Sequence, residues 1–145
     1  DAAMDEIIHA AKVAQAYDFI MEKPHGFDEH IVEGATNVSG GQKQRLSIAR
    51  ALVRKPQIYI YDDSFSALDF KTDAALRKAL KTEVGSAIVL IVAQRVSTIM
   101  DADKIVVLNE GKIAGMGTHR ELLKSCPIYY EIAASQLSEE EMQYE

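Results

Sequence analysis

The chain has 145 residues, 48% hydrophobic and 26% charged, enough for a core of its own and outside the collagen-like, low-complexity and disordered classes. Of its net charge of −6, the four glutamates of the tail Ser138–Glu145 (SEEEMQYE) supply the larger part. The remainder is nearly balanced with no basic face, so nucleic-acid binding has no electrostatic support. The longest apolar run, Ala87–Ala93, falls far short of the ~20 residues of a membrane helix, the opening DAAMDE is no signal peptide, and the single Cys126 excludes an internal disulfide and fits a reducing compartment.

In chain order, Ile7, Ile8, Ala11, Ala14 and Phe19 recur near helical spacing and predict one helix over Met4–Met21, ended by Pro24, His25 and Gly26. Phe27–Asn37 reads as loop. Ser39-Gly40-Gly41 leads into a helix over Gln42–Arg54, with Ser39 and Gln42 spaced as a capping box and Pro56 closing it. Ile58–Tyr61 (IYIY) is a short strand with no polar interruption, expected to be buried on both faces. A helix over Asp73–Val84, a second buried strand over Ala87–Val92 and a helical turn over Thr98–Asp101 follow. A third strand at Lys104–Leu108 turns through Asn109-Glu110-Gly111 into an antiparallel edge strand, Lys112–Met116. Helices over Thr118–Ser125 and Ile128–Leu137, separated by Pro127, complete a pattern that argues for a parallel α/β sheet.

The Ser39-Gly40-Gly41-Gln42 turn is suited to an oxyanion. Two residues without Cβ allow close backbone approach, and free N–H groups at a helix N-terminus favour a phosphate. Taken alone, such a turn is more often a plain glycine cap. The strand Ile58–Tyr61 delivers Asp62 and Asp63 at its C-terminal end, where α/β folds place ligand chemistry. Adjacent carboxylates there rarely serve packing, because unpaired buried carboxylates are costly. His9, His25, His30 and His119 show no metal-ligand spacing, and Tyr59, Tyr61, Tyr129 and Tyr130 read as core or interface aromatics.

The run Val38–Asp69, VSGGQKQRLSIARALVRKPQIYIYDDSFSALD, resembles the signature motif, Walker B strand and D-loop of an ATP-binding-cassette (ABC) ATPase, and the likeness extends over most of the chain. Asp5–Asn37 resembles the helical subdomain of ABC exporters, including the Glu33-Gly34 pair. Ile88–His119 resembles the switch strand and the hairpin after it. The resemblance is closest to bacterial multidrug and lipid-type exporters. It implies that Ser39, Gly40, Gly41 and Gln42 contact the γ-phosphate of ATP bound to an opposite subunit. By the same resemblance Asp62 holds Mg²⁺ through water, Asp63 stands in the place of the catalytic carboxylate, Gln94 senses the γ-phosphate, and Asp69 belongs to the D-loop at the dimer seam. Glu33 is then a candidate contact to a transmembrane domain; a solvated loop acid is an equal alternative.

Three departures from the family pattern bear on mechanism. The motif GxxxxGK[ST] is absent: the single Gly-Lys pair, Gly111-Lys112, is followed by Ile113. The resemblance therefore implies a P-loop NTPase-like parallel sheet with flanking helices plus part of an ABC helical subdomain, truncated with its Walker A half missing. Asp63 replaces the family's glutamate, setting its carboxylate one C–C bond, ~1.5 Å, back, and a displacement of ~1 Å can cost on the order of a hundredfold in rate. Gln94 replaces the switch histidine; it can donate a neutral hydrogen bond but not shuttle a proton. Val38 stands for the usual leucine of the signature.

These readings divide the chain into part of the helical subdomain (1–38), the signature, Walker B, D-loop, switch and C-terminal helices of the ATPase core (39–137), and the acidic tail (138–145). The expected function is that of an ATP-hydrolysing subunit segment of an ABC exporter, with ATP and Mg²⁺ as cofactors. The expected partners are a second nucleotide-binding domain, in a heterodimer of which this is the impaired half, and a transmembrane domain. The parent would act at the cytoplasmic face of the cell membrane, the segment itself being soluble and, lacking Walker A, inactive. The alternative is a regulatory or non-transport ABC module.

Overall fold

The computed structural model describes residues 2–138 and Met142; the acidic tail, apart from Ser138 and Met142, lies outside the described residues. Two compact units divide the chain, the first ending at Val92 and the second beginning at Ala93.

In the first unit the stretch expected as one helix is two, α1 (Met4–Val13) and α2 (Tyr17–Met21). Gln15 takes a left-handed conformation at φ +56°, and the Arg45 guanidinium donates to its carbonyl. An apolar stripe does not register one left-handed residue, which is why the sequence pattern runs through the break. Ala10, Ala11, Ala14 and Ala16 are buried; small side chains let α1 pack closely on α3 (Gly40–Val53). Between α2 and α3 the expected loop contains two short 3₁₀ turns, Gly26–Asp28 and Glu33–Ala35.

Strand β1 (Ile58–Asp62), helix α4 (Phe70–Glu83) and strand β2 (Ile88–Val92) form a β-α-β unit. The strands pair in parallel from Ile58 opposite Ile88 to Asp62 opposite Val92. Helix α4 begins three residues ahead of its predicted start because Asp69 caps it. Neither strand is buried on both faces. Tyr59 and Tyr61 point into the core, whereas Ile58, Ile60, Ile88, Leu90 and Val92 are exposed, Ile60 by 68%. Side chains alternate along a strand, and the helices of this unit cover one face only. Its core joins the inward tyrosines to Phe19, Ile48, Leu52, Phe65, Leu68, Leu76 and Leu80.

The second unit holds α5 (Val96–Ile99), β3 (Ile105–Asn109), β4 (Lys112–Gly117), α6 (His119–Ser125) and α7 (Pro127–Ala134). The hairpin β3–β4 is antiparallel as expected, with a register shift between Val107 and Leu108. Its two-residue connection, Glu110 at φ +47° and Gly111 at φ +74°, has the two left-handed residues of a type I′ turn, which matches the twist of the strands. The strands form two separate two-stranded sheets, not the single parallel sheet expected. Among the described residues β3 finds its hydrogen-bonding partner across this tight turn, in β4 alone. Pro127 is the first residue of α7, not a separator, a position where its missing N–H costs nothing. Val96, Ile105, Val107, Leu122, Cys126, Tyr129 and Ala133 make the core of this unit. No helix among the described residues is long and apolar enough to cross a membrane.

Candidate functional site

Helix α3 starts as its sequence indicates. Ser39 is extended, its Oγ accepts from the Gln42 N–H at 3.2 Å, and the Gln42 Oε1 accepts from the Ser39 N–H at 3.0 Å. The reciprocal box leaves the Ser39 hydroxyl hydrogen free to donate. The N–H groups of Gly40 and Gly41 belong to the first turn, where no intrahelical acceptor exists. That turn carries no acidic residue, so the positive end of the helix dipole is not neutralised from within. Ser39 and Gly40 are exposed, and Gly41 and Gln42 half-buried.

The two glycines differ. A Cβ on Gly41 would lie 2.9 Å from the carbonyl oxygen of Ala67, whereas one on Gly40 would meet the Ala67 Cβ at an ordinary 3.6 Å. Close approach of the helix start to the 63–69 loop therefore requires glycine at 41 and not at 40.

Asp62 ends β1 opposite Val92, with its side chain exposed; among the described residues its carboxylate has no hydrogen-bond or ion-pair partner. Asp63 leaves the strand in a left-handed conformation, φ +49°, its N–H donating to the Val92 carbonyl at 3.0 Å. Buried Phe65 and Leu68 anchor the loop that follows. Asp69, read as part of the dimer seam, caps α4: one carboxylate oxygen accepts from the Thr72 N–H at 2.9 Å and the other from its hydroxyl at 2.7 Å. Those bonds hold the Asp69 carboxyl below its ordinary range.

Sequence reasoning passed over Gln44 and Arg45. The Gln44 amide donates to the Asp63 carbonyl at 3.0 Å and to the Ser66 Oγ at 3.1 Å, and its oxygen accepts from the Ala67 N–H at 3.0 Å. Arg45 donates to the carbonyls of Gly41 and Gln15 and lies 4.7 Å from the centre of the Phe19 ring. Burial lowers its pKa, against the opposing pull of Asp69. The available signal was position: Gln44 lies three residues after Gly41 and four before buried Ile48, a polar residue on the inward stripe of α3.

Ser39–Gln42 and Asp62–Asp69 all belong to the first unit. Gln94 belongs to the second, exposed in the bend after β2. There Gln136 holds the backbone around it, donating to the Gln94 carbonyl at 2.9 Å and accepting from the Val96 N–H at 2.8 Å. Of the histidines, His9 pairs with Glu83 at 2.7 Å and His119 with the Tyr129 hydroxyl at 2.7 Å. Tyr59, Tyr61 and Tyr129 are buried and Tyr130 is exposed. Glu33 lies exposed at the start of a 3₁₀ turn.

Among the described residues no group of three or more His, Cys, Asp and Glu could enclose a metal. One or two carboxylates at a strand end, completed by water and phosphate oxygens, is the donor set Mg²⁺ takes in nucleotide sites. Asp62 and Asp63 fit it.

The family model described as ABC transporter matches residues 4–66, the stretch that holds the capped turn, β1 and both carboxylates. An uncharacterized ABC transporter ATP-binding protein of Mycobacterium tuberculosis is 47% identical over 90% of this chain and 22% of its own length. The ABC transporter ATP-binding protein YfiB of Bacillus subtilis is 46% identical over 97% of this chain and 24% of its own length. A solved bacterial Atm1-family ABC exporter with ATP bound matches 96% of this chain and 24% of that chain, with a TM-score of 0.91 and 38% identity. Residues 4–66 carry the ABC transporter family match, and nearly the whole chain is similar to ABC transporter ATP-binding proteins. The chain spans about a quarter of the length of these relatives. A further relative, a Staphylococcus aureus protein provisionally named for multidrug export as an ATP-binding/permease protein, is 45% identical over 93% of this chain and 23% of its own length.

Proposed function

We propose that this segment is the C-terminal part of the nucleotide-binding domain of an ABC exporter that couples ATP hydrolysis to moving a substrate out across a membrane. The observation that carries the reading is the junction of an uncharged, N–H-presenting helix start with a loop headed by two exposed carboxylates, closed by the Gly41–Ala67 approach and the three hydrogen bonds of Gln44. On this reading residues 1–38 contribute to the helical subdomain and 39–137 to the ATPase core. The five exposed aliphatic side chains of β1 and β2 suit a sheet continued by further protein. The 145 residues contain no GxxxxGK[ST] loop, so by themselves they do not hydrolyse ATP.

Two such domains pair head to tail at the cytoplasmic face of the cell membrane, each joined to a transmembrane domain. Ser39, Gly40, Gly41 and Gln42 bind the γ-phosphate of the partner's ATP through N–H groups and a hydroxyl. At this chain's own site Asp62 holds Mg²⁺, which supplies charge neutralisation on the phosphates. Asp63 orients the attacking water and accepts its proton as the bond from the γ-phosphorus to the β–γ bridging oxygen breaks, releasing ADP and phosphate. Gln94 donates a hydrogen bond to the γ-phosphate, and Asp69 stands at the seam.

Aspartate and glutamine at 63 and 94 both weaken hydrolysis at this site, which favours the slow half of a heterodimer. The test is single-turnover hydrolysis by full-length protein assembled from this chain alone. Asp63→Glu with Gln94→His should raise the rate by roughly ten- to a hundredfold. No gain would sink the impaired-site assignment, and an unchanged rate after Asp62→Ala would sink the ATPase reading.

A further inference from the structure

The left-handed turn at Asp63 has a keeper on another element. Asp63 is a non-glycine residue at φ +49°, a conformation that is strained for an L-residue and persists only where surrounding bonds over-determine it. Two of its backbone groups are fixed. Its N–H is bound to the Val92 carbonyl, and its carbonyl accepts from both the Gln44 Nε2 and the Ser66 Oγ. Gln44 also takes the Ala67 N–H and donates to Ser66, so one amide side chain from α3 closes the whole turn 63–67. Both ends of the amide are used, in an orientation that reversal of its oxygen and nitrogen would turn into two repulsive contacts.

We infer that Gln44 is a positioning residue for the Asp63 carboxylate: by locking the carbonyl of Asp63 it fixes the left-handed turn that sets where that carboxylate projects. This deepens the ATPase reading and rests on it. Among the described residues the hydrogen bonds of the Gln44 side chain all go to the 63–67 loop. It lies one helical turn from Gly41 and reaches the loop that Gly41 approaches at the backbone of Ala67, so the phosphate-facing turn and the carboxylate are set against one rigid loop.

The experiment uses full-length protein assembled from this chain alone, with single-turnover ATP hydrolysis and ATP binding measured separately. Gln44→Ala should lower the hydrolysis rate by roughly ten- to a hundredfold and leave the ATP dissociation constant within about twofold. In an Asp63→Ala background, where no carboxylate remains to be positioned, Gln44→Ala should lower the residual rate no further. Gln44→Glu guards against a folding failure: it keeps the length and the acceptor for the Ala67 N–H but loses the donor to Asp63 and Ser66, and should repeat the loss. An unchanged rate in both Gln44 variants, or the same fractional loss with and without the Asp63 carboxylate, would overturn the inference. An Asp63→Ala protein as fast as the wild type would instead overturn the ATPase reading, whatever the Gln44 variants do.

Discussion

Helices α3 and α6 begin with the same device and use it for opposite ends. Each opens on a reciprocal capping box, Ser39 with Gln42 in α3 and Thr118 with Glu121 in α6. In α3 the first turn is Gly-Gly-Gln, without charge and open to solvent at Ser39 and Gly40. In α6 it is His-Arg-Glu: the Glu121 carboxylate accepts from the Thr118 N–H at 2.8 Å, and His119 is buried against Tyr129. The helix dipole attracts negative charge to both starts. Helix α6 supplies that charge from its own sequence and fills the space with side chain, whereas α3 leaves both to come from outside. On the proposed reading, a cap becomes a phosphate site by what its first turn omits.

The sharpest way to break this contrast is to give α3 the cap of α6. Gln42→Glu keeps an acceptor for the Ser39 N–H and adds a favourable charge to the helix start, so the fold should be unharmed. The same charge then stands where the partner's γ-phosphate would approach, and Coulomb repulsion near a protein surface is worth about 4 kcal/mol at 4 Å before screening. ATP turnover by the full-length protein should fall by at least roughly tenfold while its melting temperature holds or rises. Unchanged turnover would mean that this start does not face phosphate.

The glycines separate packing from ligand approach. Gly41→Ala drives a methyl into the Ala67 carbonyl, an overpacking expected to cost about 1–3 kcal/mol and visible as faster hydrogen exchange in residues 40–46. Gly40→Ala meets only ordinary contact and gains helix propensity, so stability should hold or increase by about 0.5–1 kcal/mol. If it nevertheless loses turnover, the glycine serves a ligand; if turnover also holds, its exposed N–H matters and its missing side chain does not.

How much of this the sequence discloses follows from the kind of signal each feature leaves. The capped start of α3, the strand ending at Asp62 and the Glu110-Gly111 hairpin are written in local chemistry, and residue type and spacing sufficed. The break at Gln15 is set by a guanidinium thirty residues away, and the left-handed turn at Asp63 by an amide nineteen residues away; no local window contains either. The expectation of fully buried strands misread an uninterrupted run, since Tyr59 and Ile60 both belong to it and face opposite ways. Gln44, a polar residue on an inward stripe, was legible in principle, because it interrupts an apolar period.

Smaller effects belong to α6. Its Thr118 bonds hold the Glu121 carboxyl below its ordinary value. The stabilisation is therefore complete above the usual carboxylate range of about 4.5 and is lost as pH falls through the lowered value. Replacing Glu121 by Gln should remove this acid-side dependence: protection of amides 119–125 should differ between variant and wild type at pH 7 and converge toward pH 3. A constant gap across that range would mean that the charge contributes nothing.

His119, in the same turn, gives the smallest and most diagnostic change. Burial pushes its imidazole below the usual histidine range, against the opposing pull of Asp101. Its Nδ1 is paired with the Tyr129 hydroxyl, and its Nε2 is buried without a partner among the described residues. Protonation would place an N–H and a charge where no acceptor waits, at the positive end of a helix. The unfolded chain takes up that proton near pH 6.5 and the folded chain only lower, so stability falls as pH drops below about 6.5 and levels off beneath the folded value. Hydrogen exchange of residues 119–125, corrected for its intrinsic pH dependence, should therefore accelerate modestly between pH 7.5 and 5.5. His119→Gln, with no group to titrate there, should flatten that response, and α3, whose first turn holds no ionisable side chain, should show none in either protein. An equal response in both helices would trace the effect to global unfolding and dissolve the distinction between a cap that is filled and one that is open.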